Sequence, residues 1–126
     1  MATRTIATDA APAAVGAYSQ AVATDDWVFC SGQVGLDPQT GEMIGPGIEE
    51  QTRGALANLG AVLSEVGAGF DAVVKVTAYL IDMNEFKAFN EVYAEVLGDA
   101  RPARATVGVA ALPLGARVEI ECVARV

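Results

Sequence analysis

A chain of 126 residues, 52% apolar and 19% charged, has the size and composition of one folded domain, taken here as residues 1–126. Eight basic against sixteen acidic side chains leave a net charge of −8, and histidine is absent. A Ser-His-Asp or Cys-His nucleophile and a histidine-ligated zinc are therefore excluded within one chain, and two cysteines cannot complete a four-cysteine metal site. Acid–base chemistry is left to carboxylates, Tyr, Cys, Lys and the backbone. With two lysines and no basic run, the chain lacks the clustered charge that phosphate neutralisation needs, which argues against nucleic-acid binding. Residues 1–14 carry no apolar signal core, and no stretch approaches the ~20 apolar residues of a membrane span, so a soluble cytoplasmic protein is expected. Cys30 and Cys122 lie in apolar stretches and read as buried thiols.

In chain order, residues 3–7 read as a short strand, and the Ala/Pro/Gly-rich segment 9–16 as a connection. A second strand over 18–23 stops at Asp25-Asp26. Residues 27–33, rich in aromatic and apolar side chains, make a third. Pro38 and Gly41 place a tight bend over 37–41. Over 49–66, Ala55, Leu56, Leu59, Val62, Leu63 and Val66 recur at helical spacing, and Gly67 supplies the stop. Residues 72–81 are dense in β-branched side chains and read as a strand. A second helix over 84–97 puts Phe86, Phe89, Asn90, Tyr93 and Leu97 on one face, with Asp82 as its cap and Gly98 as its end. An extended segment runs from Arg101 to about Ala110, a turn follows at 112–115, and residues 117–126 alternate as a strand. Strands, helix, strand, helix, strands is an α+β plan: a mixed sheet with two helices packed on one face.

The other face of that sheet carries the information. In 117–126, Val118, Ile120, Cys122 and Ala124 share the apolar parity, and Glu119 and Glu121 the opposite one. In the segment from Arg104, Ala105, Val107 and Val109 are assigned to the core. Arg104, Thr106 and Gly108 then point away from it, on the side of Glu119. In 27–33, Trp27, Phe29, Ser31 and Gln33 form one parity, and Tyr79 lies on the mixed face of 72–81. Rings beside isolated charges make a poor solvent face, so contact with a further copy is expected there. Charges desolvated in such an interface are ligand-site candidates.

Several motifs converge on one family. AVGAYSQAV at 14–22, SGQVGLDPQTGE at 31–42, QTRGALANL at 51–59, VKVTAYLIDM at 74–83, NEVY at 90–93, RPAR at 101–104 and VEIE at 118–121 stand in register over nearly the whole chain. They resemble the Rid family, also called the YjgF family, whose archetype is an enamine/imine deaminase. The resemblance implies a chorismate-mutase-like α+β fold in a homotrimer with clefts between subunits. It also implies hydrolysis of reactive 2-imino acids to 2-keto acids and ammonia, with no cofactor or metal. Arg104 matches the family's substrate-binding arginine, whose planar fork suits a carboxylate. Glu119 matches its catalytic glutamate, Tyr18 a cleft tyrosine, and Ser31-Gly32 an edge that meets the substrate carboxylate. Asn90 is a polar group on an aromatic stripe and needs a partner.

Plainer roles stand beside these: surface pairing for Arg104, an ion pair of Glu119 with Arg117 or Arg125, and a backbone tether for Asn90. Glu121 shares the parity of Glu119 and competes for its role. Ala17 stands where the family often has Pro. Ala105-Thr106 replaces its usual Ser-Cys or Ser-Val: if the Thr106 carbonyl orients the water the change is tolerable, and if a thiol or hydroxyl there sets the substrate range the preferred imine side chain differs. A non-catalytic trimeric protein, small-carboxylate-binding or chaperone-like, is the main alternative, and an endoribonuclease the next. Four of six arginines lie from Arg101 onward, beside only Glu119 and Glu121, so an acidic chain can hold a locally positive cleft.

Overall fold

Alternation of apolar and polar side chains produces strands whose inner rows need a cover, and two helices supply it. The structure is a computed structural model and describes residues 2–126. Its strands are β1 (Thr3–Ile6), β2 (Ala21–Thr24), β3 (Trp27–Gln33), β4 (Val73–Leu80), β5 (Ala103–Gly108) and β6 (Val118–Arg125). Its helices are α1 (Ile48–Glu65) and α2 (Phe86–Leu97). The strands form one sheet in the order β1-β2-β3-β6-β4-β5. All neighbours are antiparallel except β4 and β5, whose parallel pairing requires the α2 crossover between them. The α+β plan with helices on one face is observed.

The core lies between helices and sheet. From α1, Ala55, Leu56, Leu59, Val62 and Leu63 are buried, and they meet Val28, Ala78, Leu80, Val118, Ile120 and Ala124 from the sheet. Cys30 and Cys122 are buried there as free thiols, directly opposite one another across β3 and β6. The Cys122 hydrogen bond holds the Cys30 thiol below its ordinary value, and the same pairing together with burial pushes Cys122 up. Buried Asn58 on α1 donates to the Val34 and Leu36 carbonyls at 3.0 and 2.9 Å, tying the chain beyond β3 to the helix. Asp82 accepts from the Asn84 amide at 3.0 Å, capping a 3₁₀ turn that leads into α2.

Three expectations are corrected. The second strand begins at Ala21 rather than Tyr18, because the preceding backbone is drawn into the N-terminal connection. There the Gln20 amide donates to the Thr8 and Pro12 carbonyls and its oxygen accepts from the Thr8 amide. In β3 the register against β6 passes from Cys30↔Cys122 to Gln33↔Ile120, so three steps on one strand oppose two on the other. This bulge reverses the alternation: Gln33 is buried rather than grouped with Trp27 and Phe29. The third correction concerns β5. Its pairing sets Arg104 opposite Val76, Thr106 opposite Ala78 and Gly108 opposite Leu80, all helix-facing positions. Arg104 and Thr106 therefore lie on the helix side, and Ala105 and Val107 on the outer side. On an edge strand the apolar row is not obliged to face the nearest core.

Candidate active site

Glu119 starts from its strand. β6 buries Val118 and Ile120, so Glu119 is directed to the outer face, opposite Tyr79 of β4. There it meets the β3 bulge. A Cβ placed on Gly32 would lie 2.8 Å from the Glu119 Cδ and 3.0 Å from its Cγ. The group that a side chain at Gly32 would displace is thus the carboxylate itself. Ser31 is half-buried beside it. Its amide donates to the Gln20 carbonyl at 2.9 Å and its hydroxyl to the Ser19 carbonyl at 2.6 Å. Those bonds hold the segment carrying Tyr18 against the bulge. Tyr18, Ser31, Gly32 and Glu119 line one open cleft of about 640 Å³.

Within that cleft the Glu119 carboxyl is raised above its ordinary value, first by burial and then by the nearby Glu121. Glu121 itself is held by a short hydrogen bond from the Tyr79 hydroxyl, which it pushes upward in pKa. Of the two competing carboxylates, Glu121 is engaged and Glu119 has no hydrogen bond from this chain among the described residues. The ion pairs considered for Glu119 are not formed: Arg117 pairs with Glu85 at 2.7 Å and Arg125 lies nearest Asp26 at 3.8 Å.

Arg104 occupies a different place. Its side chain crosses the aromatic stripe of α2, with the guanidinium carbon 4.6 Å from the Tyr93 ring centre, 5.6 Å from Phe86 and 5.7 Å from Phe89. Positions 86, 89, 90 and 93 share a helix face by their spacing of three and four, and this is why one cation meets three rings and one amide. Asn90 Oδ1 accepts from the Arg104 guanidinium at 2.8 Å. The expected partner of Asn90 is thus the arginine and not a backbone group. Asn90, Tyr93, Arg101 and Arg104 line a depression of about 450 Å³ that contains no acidic residue. Thr106 follows two positions along the same strand face, and its buried hydroxyl has no partner. Burial raises the Tyr93 phenol against the opposing pull of Arg104.

The sequence-derived set accordingly divides into two groups on opposite faces of one sheet. Tyr18, Ser31, Gly32 and Glu119 are brought together; Asn90, Arg104 and Thr106 are brought together; the two groups do not meet within the chain. Tyr93, the platform under Arg104, was legible as part of the helical stripe but not as its stacking partner. Among the described residues no group of three His, Cys, Asp or Glu is placed to hold a metal ion. None of their helices is long and apolar enough to cross a membrane.

An α+β sheet with this motif set is a recognised class. The family described as endoribonuclease L-PSP matches residues 8–126, and the chain belongs to that family, the Rid family of the sequence resemblance. The chain is 50% identical over 121 residues to mouse 2-iminobutanoate/2-iminopropanoate deaminase, spanning 96% of this chain and 90% of the relative. Among solved structures it is similar to RidA from an Antarctic Psychrobacter species, at 44% identity and a TM-score of 0.94, covering 98% and 99% of the two chains. It is also similar to TdcF from E. coli with bound serine, at 36% identity and a TM-score of 0.93, covering 98% of each.

Proposed function

We propose that this protein is a hydrolytic deaminase of small reactive 2-imino and enamine acids, such as 2-iminobutanoate and 2-aminoacrylate, releasing 2-keto acid and ammonia. The observation that carries the reading is the Glu119 carboxyl. It is half-buried, raised in pKa and free of partners in a cleft edged by Gly32, in a relative of proteins named for that reaction. The serine bound by TdcF supports a ligand of amino-acid size. On this reading Arg104, held flat by the α2 rings and by Asn90, takes the substrate carboxylate through two parallel hydrogen bonds. The Gly32 amide and Tyr18 border the same ligand, and Thr106 is beside it.

Glu119 accepts a proton from a water molecule as that water adds to the imine carbon. The tetrahedral amino alcohol then takes that proton on nitrogen, and the regenerated Glu119 carboxylate takes the hydroxyl proton. Ammonia leaves as the carbon–oxygen double bond forms, so one water is consumed and no electrons are exchanged. The residues at hand supply a carboxylate and donors, which suffices for an electrophile as reactive as an imine, and the chemistry calls for no cofactor.

Because Arg104 and Glu119 face opposite sides of the sheet, a whole site requires two copies. The rings on the outer face, Trp27 and Phe29, are exposed in the single chain and favour such an assembly. The geometry asks only for more than one copy; the family resemblance makes that assembly a homotrimer with three inter-subunit sites, acting in the cytoplasm. The net charge of −8 and the absence of acids from the Arg104 depression fit a small anion better than RNA.

The test is keto-acid release from a pyridoxal-phosphate-dependent threonine dehydratase, with and without the protein. Wild type accelerates release beyond the spontaneous rate, and Arg104→Ala abolishes the acceleration. No acceleration, or an Arg104→Ala variant as active as wild type, refutes the reading.

A further inference from the structure

Leu114 is held in a conformation that the fold itself does not need a leucine to adopt. Its backbone lies at φ 58°, ψ 25°, in the left-handed region that glycine and asparagine occupy freely and a branched aliphatic residue does not. Gly115 beside it has φ 68°. The turn is tied at its far end, where the Ala116 amide donates to the Pro113 carbonyl at 3.1 Å and the Arg117 amide to Gln51 Oε1 at 2.8 Å. The Leu114 side chain gains nothing from this placement in packing, for it is 72% exposed. An outlier of this kind, with no structural return, is the pattern of a functional position.

Its surroundings indicate which function. Leu114 lines the same cleft as Glu119, Ser31 and Gly32, and from the N-terminal connection so do Val15, 80% exposed, and the ring of Tyr18. A polar floor is thereby rimmed by apolar side chains from two separate loops. Resting on the deaminase reading above, we infer that Leu114, together with Val15, forms the subsite for the substrate's side chain and selects aliphatic 2-imino acids over the smallest ones. The imine carbon sits over Glu119, the carboxylate is drawn to an arginine, and the remaining substituent meets the apolar rim.

Asparagine keeps the left-handed backbone and removes the apolar surface, so Leu114→Asn separates the side chain from the fold. The imines of leucine and of alanine are generated in situ by an L-amino-acid oxidase, and keto-acid formation is followed with wild type and variant. The expected result is a ratio of kcat/KM, leucine-derived over alanine-derived imine, lowered about 10-fold in Leu114→Asn, the scale of a lost aliphatic pocket contact. The melting temperature of the variant should be equal or higher. A ratio within about twofold of wild type overturns the inference while leaving the deaminase reading intact. So does a variant whose oligomer mass changes while the ratio does not. If wild type accelerates neither imine, the deaminase reading fails and the subsite falls with it.

Discussion

Replacing Gly32 by alanine tests the coupling of the β3 bulge to the Glu119 carboxyl. The added methyl would sit 2.8 Å from Cδ and 3.0 Å from Cγ of Glu119. Ordinary carbon–carbon contact is about 3.5–4.0 Å, so the carboxylate has to retreat by close to 1 Å. Glu119 is a flexible side chain at the edge of an open cleft, so the fold can absorb that shift. The stability cost is about 1 kcal/mol, the low end for overpacking, or about 4 °C in Tm for a chain of this size. Catalysis is less forgiving, since a misplacement of about 1 Å costs on the order of 10²-fold in rate. The dehydratase-coupled assay should thus show kcat down about 100-fold while Tm falls by only about 4 °C. Glu119→Gln alone should be comparably inactive, and the double variant should be no worse than Glu119→Gln, because both changes act through one group. A Gly32→Ala enzyme within about threefold of wild type, or a double variant with fully additive losses, refutes the claim that Gly32 is kept small for Glu119.

Four further outcomes are expected. Co-refolding equal amounts of the inactive Arg104→Ala and Glu119→Gln chains should restore about one quarter of wild-type activity, since a quarter of randomly formed inter-subunit sites draw both residues intact; a mixture as inactive as its parents removes the shared site. Burial, and secondarily Glu121, raises the Glu119 carboxyl above the ordinary 4.5, so the acid limb of kcat/KM should lie above that value. Glu121→Gln should move the limb to lower pH. The sign for stability is opposite to that of a salt-bridged acid. The folded state holds the Glu119 proton more tightly than the unfolded chain, so stability falls as pH rises from the ordinary glutamate value to the raised one. Glu119→Gln removes that slope in urea titrations across the window, and an unchanged slope would assign it elsewhere.

The elements legible in the sequence were those whose pattern is set by a single continuous surface. Leu56, Leu59 and Leu63 announce α1 because one stripe meets one sheet. Val118, Ile120 and Cys122 announce β6 because it lies centrally in the sheet with a helix-covered face. Misreadings arose where a second constraint competes. The alternation of β3 breaks at Gly32, and a glycine inside a strand is a known sign of a bulge, but the pattern does not say at which residue the parity turns. Alternation alone points Arg104 outward, because Ala105 and Val107 form the more apolar row. The pairing with Val76 and Ala78, invisible in local sequence, decides the matter. The run from Tyr18 reads as strand in the sequence, yet Gln20 holds that backbone to Thr8 and Pro12. The residue types of the candidate site were thus readable from motif resemblance, while their division between two faces was a property of register.

That division governs how site number depends on closure. On the proposed reading each copy offers a donor half on one side of its sheet and an acceptor half on the other, so copies join head to tail. An open row always leaves one unmatched half at each end and has one fewer whole site than chains. A ring alone leaves none over. Dilution that opens the ring would therefore lower activity per chain before any chain unfolds, and specific activity would report ring closure rather than folding.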